Sequence, residues 1–187
     1  MKLLKILEGN LPYRAYFELG TKKMPPVFLD DETYGEAIRS LIVVAADAVP
    51  INRERKTFYL AKRIAKPIRG WWELGGRIFS GEPERDAISR IVKREASIDV
   101  SPERFILVSQ GRYFLKDRQQ EPQDASNDTF CYHFAVELSD AELKLASANL
   151  DEKEYQRNVG LQEFDRARIV KDNVEQPILD LYDTVFP

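Results

Sequence analysis

The feature that most constrains the fold is a strand–turn–helix pattern in residues 69–98, which read RGWWELGGRIFSGEPERDAISRIVKREASI. An apolar, aromatic segment ends in the glycine pair Gly75–Gly76, and a polar turn leads to Pro83. Proline is favoured at the first position of a helix, so a helix is predicted to begin at Pro83. Its apolar positions fall on one stripe at about 100° per residue, which predicts packing against a sheet. They are Ala87, Ile88, Ile91 and Val92.

A single carboxylate lies within that apolar stripe. Glu95 is about 40° from Ile91 around the helix axis, where a core-facing helix would carry another aliphatic residue. Burying a carboxylate costs several kcal/mol unless it is paired with a cation or bound to a metal. Glu95 is therefore the strongest candidate for a functional residue.

This stretch resembles the box of the Nudix hydrolases, written G-x5-E-x7-R-E-U-x-E-E-x-G-U, where U is a bulky aliphatic residue. The matching positions are Gly76, Glu82, Arg90, Val92, Glu95 and Ile98. Ile91 and Arg94 stand at two of the box glutamates, and Ser97 stands at its last glycine. The pattern is most similar to the GDP-mannose mannosyl hydrolase branch, which also lacks some box glutamates and approaches the helix through a similar GYW…PGGR segment. By this resemblance, Glu82 and Arg90 form a buried salt bridge that fixes the turn on the helix.

The remaining segments predict an α+β fold. Apolar or alternating runs predict strands at residues 41–49, 57–63, 105–114 and 129–136, and helices are predicted at 30–40, 139–145 and 173–185. The resemblance implies a Nudix-type α/β/α sandwich with a mixed central sheet. It divides the chain into an N-terminal extension packed on the domain, residues 1–40, and a Nudix-like domain, residues 41–187.

Two charged residues in the predicted strands have alternative interpretations. Asp47 interrupts an apolar run, so it either ends the strand and caps a turn or points a polar group into a site. Arg63 is either an exposed cation at a strand end or a substrate contact. The GDP-mannose mannosyl hydrolase branch carries an aspartate and an arginine at nearly this spacing. The resemblance therefore implies catalytic roles for Asp47 and Arg63.

The glycine pair and the residue that follows it suit a phosphorylated ligand. Gly75 and Gly76 allow the backbone to approach a ligand closely, and the guanidinium of Arg77 can bind phosphate oxygens bidentately. Arg63 and Arg77 are expected to converge on one diphosphate. The resemblance implies that Glu95 and the Gly75 carbonyl hold a Mg²⁺ ion, with Mn²⁺ as a possible substitute.

The segment 151–161, DEKEYQRNVGL, corresponds to a loop that supplies a metal-binding glutamine and a catalytic histidine in the GDP-mannose mannosyl hydrolase branch. This segment contains no histidine, but Glu154 falls on that pair in either register. The resemblance implies that Glu154 binds the metal or acts as the base, whereas the alternative is a solvated run of charges. His133, the only histidine, is predicted to be a hydrogen-bonded core residue, with a catalytic base as the alternative. Trp71 and Trp72 are predicted to pack the helix against the sheet.

Composition excludes several other classes of protein. The net charge of −3 and the pI near 5.4 argue against a nucleic-acid binder. No apolar run is long enough to predict a membrane span, and no signal-like segment is present. The single cysteine, Cys131, permits no internal disulfide, so a reducing cytoplasmic location is expected.

The resemblance implies an enzyme, a Mg²⁺-dependent hydrolase of a nucleoside diphosphate linked to another moiety. A nucleotide sugar such as GDP-mannose is the leading candidate for this small-molecule substrate. The missing box glutamates and loop histidine favour the alternative, a Nudix-fold domain that binds nucleotides or regulates without catalysis. A homodimer formed through the N-terminal extension is a further expectation from the resemblance.

Overall fold

A mixed sheet of seven strands forms the centre of the structure, which is a computed structural model that describes residues 25–187. The strands are β1 (Val43–Asn52), β2 (Thr57–Arg63), β3 (Gly70–Trp72), β4 (Leu74–Arg77), β5 (Ile106–Leu115), β6 (Asn127–Glu137) and β7 (Gln162–Phe164). The helices are α1 (Asp31–Ala37), α2 (Glu84–Ala96), α3 (Asp140–Ala148), α4 (Arg166–Lys171) and α5 (Gln176–Val185), with a 3-10 turn at Pro102–Arg104. This is the predicted α+β class.

The sheet opens between two strands that both pair with β1. The main order is β3-β2-β1-β6-β5, with β4 pairing with β1 and β7 pairing with β2. In β1, only Ile51 and Asn52 pair with β2, whereas residues 45–48 pair with β4. The pairing of β1 with β6 is parallel, which makes the sheet mixed. The opening between β2 and β4 gives side chains from both faces of the sheet access to one space.

Asp47 lies in the middle of β1, so its interpretation as a strand end is wrong. The strand continues to Asn52, five residues beyond the aspartate. It continues because β1 pairs with β6 as far as Ile51, and the residues after Asp47 are buried. Neighbours along β6 and β4 extend the hydrogen-bonded ladder past the charged residue.

Two cores, one on each face of the sheet, give the predicted α/β/α layers. On one face, α2 buries its apolar stripe with residues of β1 and β6, and Ala87, Ile88, Ile91 and Val92 are at most 1% exposed. On the other face, α4 and α5 pack on β1, β2 and β7. The stripe of α2 is as predicted, but the helix begins at Glu84 because Pro83 has an extended backbone and is the N-cap.

The C-terminal region departs most from its sequence prediction. The terminal helix begins at Gln176 rather than at Asn173, because Asn173 takes a positive φ of 49° that breaks the helix. The strand β7 and the helix α4 that precede it were not predicted. The helix predicted at 139–145 is α3, which begins with a capping box formed by Ser139 and Glu142 and extends to Ala148.

The described part of the N-terminal extension contacts the rest of the structure at α1. Asp30 caps this helix by accepting a hydrogen bond from the Thr33 N–H. The Arg118 guanidinium, in the loop between β5 and β6, donates to the Gly35 carbonyl. A Cβ at Gly35 would overlap the backbone carbonyl of Glu121, so this contact requires glycine. Residues 1–24 lie outside the described residues, and the boundary at residue 40 stays a prediction. No helix within residues 25–187 is long and apolar enough to cross a membrane.

Candidate active site

One cavity of about 340 Å³ lies at the opening between β2 and β4 and is bordered by all the predicted site residues. They are Asp47, Arg63, Gly75, Arg77, Glu95 and Glu154. Two further cations, Lys66 and Arg94, also line it. The rim includes Tyr34 of α1 and residues of the loop between β5 and β6. The structure therefore brings the predicted residues together, whereas their individual roles stay predictions.

Glu95 is fully buried, and both of its carboxylate oxygens accept hydrogen bonds. One oxygen accepts from the Gly75 N–H at 3.1 Å and from the Tyr155 hydroxyl. The other accepts from the Arg94 guanidinium at 2.6 Å. Burial raises the pKa of Glu95, and the donors Tyr155 and Arg94, together with the charge of Arg63, act in the opposite direction. The acid in the apolar stripe is thus stabilised by pairing.

The backbone of β4 explains why Gly75 reaches Glu95. Ile78 N–H donates to the Val44 carbonyl, and backbone groups alternate in direction along an antiparallel pair. The N–H and carbonyl of Gly75 therefore point away from β1, on the side where the N–H meets Glu95. A Cβ at Gly75 would also overlap the carboxylate of Asp47, so two acids approach this residue closely.

Asp47 enters the cavity from the face of the sheet opposite to α2. One carboxylate oxygen accepts from the Trp72 indole N–H at 3.0 Å. Burial and the charge of Glu73 raise the pKa of Asp47, whereas His133, Trp72 and Arg63 oppose the shift. Trp72 belongs to the core, as predicted, and it also orients this carboxylate. The charge of Arg63 acts to lower the pKa of both Asp47 and Glu95, and the three side chains line the same cavity.

Arg63 and Glu154 form an ion pair at the cavity wall. Their side chains are 12% and 25% exposed, and the guanidinium lies 2.7 Å from a carboxylate oxygen. The loop that carries Glu154 is attached to the end of β2, because the Ile64 N–H donates to the Glu154 carbonyl at 2.9 Å. The interpretation of Glu154 as part of a solvated charge run is therefore wrong. Arg63 is also not an ordinary exposed cation at a strand end.

Arg77 borders the cavity at its rim. Strand alternation places Arg77 on the same face as Asp47, whereas Arg63 lies on the face of α2. Both line the cavity because the sheet is open between their strands. The Arg77 guanidinium stacks 4.4 Å from the ring centroid of Tyr34. The two arginines thus border one space from opposite faces, and their convergence on one diphosphate stays a prediction.

Glu82 and Arg90 are paired as expected, although the pair is only partly buried. The guanidinium donates to both carboxylate oxygens at 2.6 and 2.7 Å, and the Arg90 and Glu82 side chains are 30% and 17% exposed. Arg90 also donates to the Arg77 carbonyl at 3.0 Å, and Glu82 accepts from the Phe79 N–H at 3.0 Å. Partial burial would raise the pKa of Glu82, but the hydrogen bonds from Arg90 and Phe79 lower it. The pair joins the turn to α2.

His133 is a hydrogen-bonded residue of the core, as predicted. Its Nδ1 lies 2.8 Å from a carboxylate oxygen of Glu73, and its Nε2 lies 2.8 Å from the hydroxyl of Tyr113. Burial lowers the pKa of His133, but the charge and hydrogen bond of Glu73 outweigh it and raise the pKa to about 8. Sequence reasoning missed Glu73, although an acid in a buried apolar segment is the same signal that marked Glu95.

Two other residues missed by sequence reasoning, Arg94 and Tyr155, contact Glu95 directly. The sequence marks Arg94 only as a departure from the box, and it contains Tyr155 only as one member of the segment 151–161. The signal for Arg94 was a cation at a position where the box carries an acid. Tyr155 carried no signal, since its contact with Glu95 depends on the path of the loop after α3.

A comparison with protein-family models identifies the family to which the chain belongs. The model of the NUDIX domain matches residues 41–180. The chain belongs to the Nudix family. The members of this family that are hydrolases act on nucleoside diphosphates linked to another moiety. No curated protein matches the chain significantly in sequence.

Solved structures of Nudix proteins share this fold. A MutT NUDIX hydrolase from Burkholderia pseudomallei is 15% identical with a TM-score of 0.57, and the match covers 78% of this chain and 99% of that chain. A MutT protein from Methanosarcina mazei Go1 is 14% identical with a TM-score of 0.55, covering 77% and 92%. A MutT/nudix family protein from Enterococcus faecalis is 17% identical with a TM-score of 0.45, and the match covers 67% of this chain but only 44% of that chain. The two matches with TM-scores above 0.5 confirm the Nudix-type sandwich.

Nudix hydrolases generally use divalent cations, commonly Mg²⁺, but the donors around the acids of this cavity do not fit such an ion. Each of the three lining carboxylates already accepts from a donor: Glu95 from Arg94, Glu154 from Arg63 and Asp47 from Trp72. Two box positions that would supply further carboxylates hold Ile91 and Arg94. A guanidinium 2.6 Å from Glu95 occupies a position from which it repels a cation. The Mg²⁺ or Mn²⁺ expected from the resemblance stays a prediction that this geometry does not favour.

Proposed function

We propose that this chain hydrolyses a nucleoside diphosphate linked to another moiety, with a nucleotide sugar such as GDP-mannose as the candidate substrate. The observation that carries the proposal is the cavity, in which arginines from two faces of the sheet meet acids beside a glycine pair. Guanidinium groups match the geometry of phosphate oxygens, and glycines allow the backbone to approach them.

The charge of the cavity suits a diphosphate. Four cations and three carboxylates line it, which leaves one net positive charge when all are ionised. Cations fixed in a partly enclosed site stabilise the charge that develops on a leaving diphosphate without reorganising during the reaction. We assign this role to Arg63, because its side chain is only 12% exposed and Glu154 holds it at the cavity wall.

Asp47 is the better candidate for the base that activates water. Burial raises its pKa, which brings a carboxylate closer to the range in which it accepts a proton near neutral pH. The Glu154 carboxylate is held by the Arg63 guanidinium at 2.7 Å, so it is already engaged by a cation. We therefore assign Glu154 to the positioning of Arg63 and the proton transfer to Asp47.

A panel assay tests the proposal. The purified chain is incubated with nucleotide sugars and dinucleotides in Mg²⁺, in Mn²⁺ and in EDTA, and products are identified by ³¹P NMR and chromatography. Turnover of a diphosphate-linked compound, lost in Asp47→Asn and kept in the control Arg85→Ala, supports the proposal. Arg85 is exposed on α2 outside the cavity.

The alternative is a Nudix-fold domain that binds a nucleotide without hydrolysing it. The observation that favours it is the engagement of Glu95 by three donors, since that acid is the only one retained from the glutamate cluster at the end of the box. Binding of the panel compounds by calorimetry, with no product after prolonged incubation in any of the three buffers, would establish this alternative.

A further inference from the structure

The end of α2 carries a cation where a Nudix box carries an acid. Arg94 and Glu95 are neighbours in the chain, and the Arg94 guanidinium contacts the Glu95 carboxylate at 2.6 Å. The Arg94 side chain is 49% exposed, while that of Glu95 is 1% exposed. In this ion pair, the buried Glu95 fixes the position of Arg94, and the exposed part of Arg94 lines the cavity.

The glycine pair makes room for this guanidinium. A Cβ at Gly76 would lie 2.8 Å from one terminal nitrogen of Arg94, closer than a normal contact. Arg94 thus lies over the backbone of β4, beside Gly75, which donates to the same carboxylate. The backbone and side-chain donors converge on Glu95 at the place where the resemblance expects a metal ion.

A guanidinium held in this way has donors left for a ligand. Arginine carries five N–H groups in a rigid fork, and one terminal nitrogen of Arg94 is engaged by Glu95. Within residues 25–187, Arg94 forms one ion pair, and its partner is Glu95. Arg63, on the same face of the sheet, adds a second guanidinium to the same cavity.

We propose that the Arg94 guanidinium, oriented by Glu95, takes the place of the divalent cation and binds the diphosphate of the ligand, so that binding does not require a metal. This inference rests on the proposed function for the class of ligand and departs from the metal requirement of the family. Glu95 is then a positioning residue for Arg94 rather than a metal ligand. The positive charge that a Nudix hydrolase acquires with its ion is built into this chain.

Calorimetry with GDP as the probe tests the inference on the full chain. The dissociation constant in EDTA is expected to be within about threefold of that in excess Mg²⁺. Arg94→Ala should weaken binding in EDTA about tenfold or more, which corresponds to the loss of one charge-assisted contact. Arg94→Lys should restore only part of the affinity, because lysine lacks the fork. The matched control Arg85→Ala removes an exposed arginine from the same helix and should change affinity less than twofold.

Arg94→Glu should make the binding of GDP depend on a metal ion, unlike that of the wild type. It restores a carboxylate beside Glu95, as in the Nudix box, so binding should be lost in EDTA and recovered partly in Mg²⁺. Thermal unfolding of each variant establishes that it is folded, and a folded variant is expected because the Arg94 side chain is half exposed.

The outcomes separate this inference from the proposed hydrolysis. Binding of GDP by the wild-type chain only in Mg²⁺, or unchanged binding in Arg94→Ala, overturns the role of Arg94. Binding of GDP in neither buffer overturns the role of Arg94, while turnover in the panel assay decides the hydrolysis separately. Binding in EDTA that depends on Arg94, together with no turnover of any panel compound, supports the inference and overturns the hydrolysis.

Discussion

Replacing Arg90 by alanine should destabilise the fold by about 2 kcal/mol. A fully buried ion pair that loses one partner costs about 3–5 kcal/mol, whereas an exposed pair is worth about 0–1 kcal/mol. The pair with Glu82 lies between these limits, since its side chains are 30% and 17% exposed and its two contacts are 2.6 and 2.7 Å. The hydrogen bond to the Arg77 carbonyl and the stacking on Phe79 at 3.9 Å add to the loss, while water hydrates the exposed part of Glu82.

Thermal unfolding followed by circular dichroism measures this effect. For a domain of this size, about 2 kcal/mol corresponds to a fall in Tm of roughly 4–8 °C. The control is Arg166→Ala, which breaks a bidentate pair with Asp183 whose side chains are about half exposed, and which should leave Tm nearly unchanged. A wild-type Tm in Arg90→Ala together with reduced turnover would refute an architectural role and assign the pair to the chemistry.

Three further changes probe the cavity and the core. Arg63→Ala should weaken GDP binding, measured by calorimetry, more than Arg77→Ala does, because Glu154 fixes the Arg63 side chain at the cavity wall whereas Arg77 stacks on Tyr34 at the rim; equal effects would contradict this. The pKa of about 8 for His133 lies above the ordinary 6.5, so its contribution to stability is complete below pH 6.5 and is lost as pH rises through 8. The free energy of unfolding in urea should therefore fall by roughly 2 kcal/mol between pH values well below 6.5 and well above 8 in the wild type, and by less in His133→Gln. Tyr155→Phe removes a hydroxyl that donates to Glu95 and should lower the unfolding free energy by about 1–2 kcal/mol, whereas an unchanged value would show that water replaces it.

The layers of the fold could be predicted because hydrophobic periodicity reports burial directly. The stripe on α2 and the buried strand β1 follow from residue spacing alone, and the placement of Glu95 in the stripe predicted its burial. The first and last residues of the helices were predicted less accurately, because they depend on the backbone conformation of single residues. Pro83 caps α2 instead of opening it, and Asn173 separates α4 from α5 through its positive φ.

The residues that line the cavity could be predicted from the sequence, but the hydrogen bonds and ion pairs between them could not. The resemblance selected Asp47, Arg63 and Glu154, and these residues do border one space. Which donor meets which acid depends on contacts between residues far apart in sequence, such as Tyr155 with Glu95 or His133 with Glu73, each 60 residues apart. Spacing along one chain does not encode such distances, so the engagement of Glu95 by donors became visible only in three dimensions.

The contact at Gly35 has a consequence for how this protein can vary. The helix α1 and the loop between β5 and β6 both border the mouth of the cavity, and they meet where no side chain fits, between Gly35 and the backbone of Glu121. Arg118 joins the same two segments by donating to both carbonyls. A substitution in one segment therefore displaces the other, and tolerated changes must arise in pairs. Among close homologues, a change at position 35 should be accompanied by one at position 118, while position 121, which contributes only its backbone carbonyl, is free to vary.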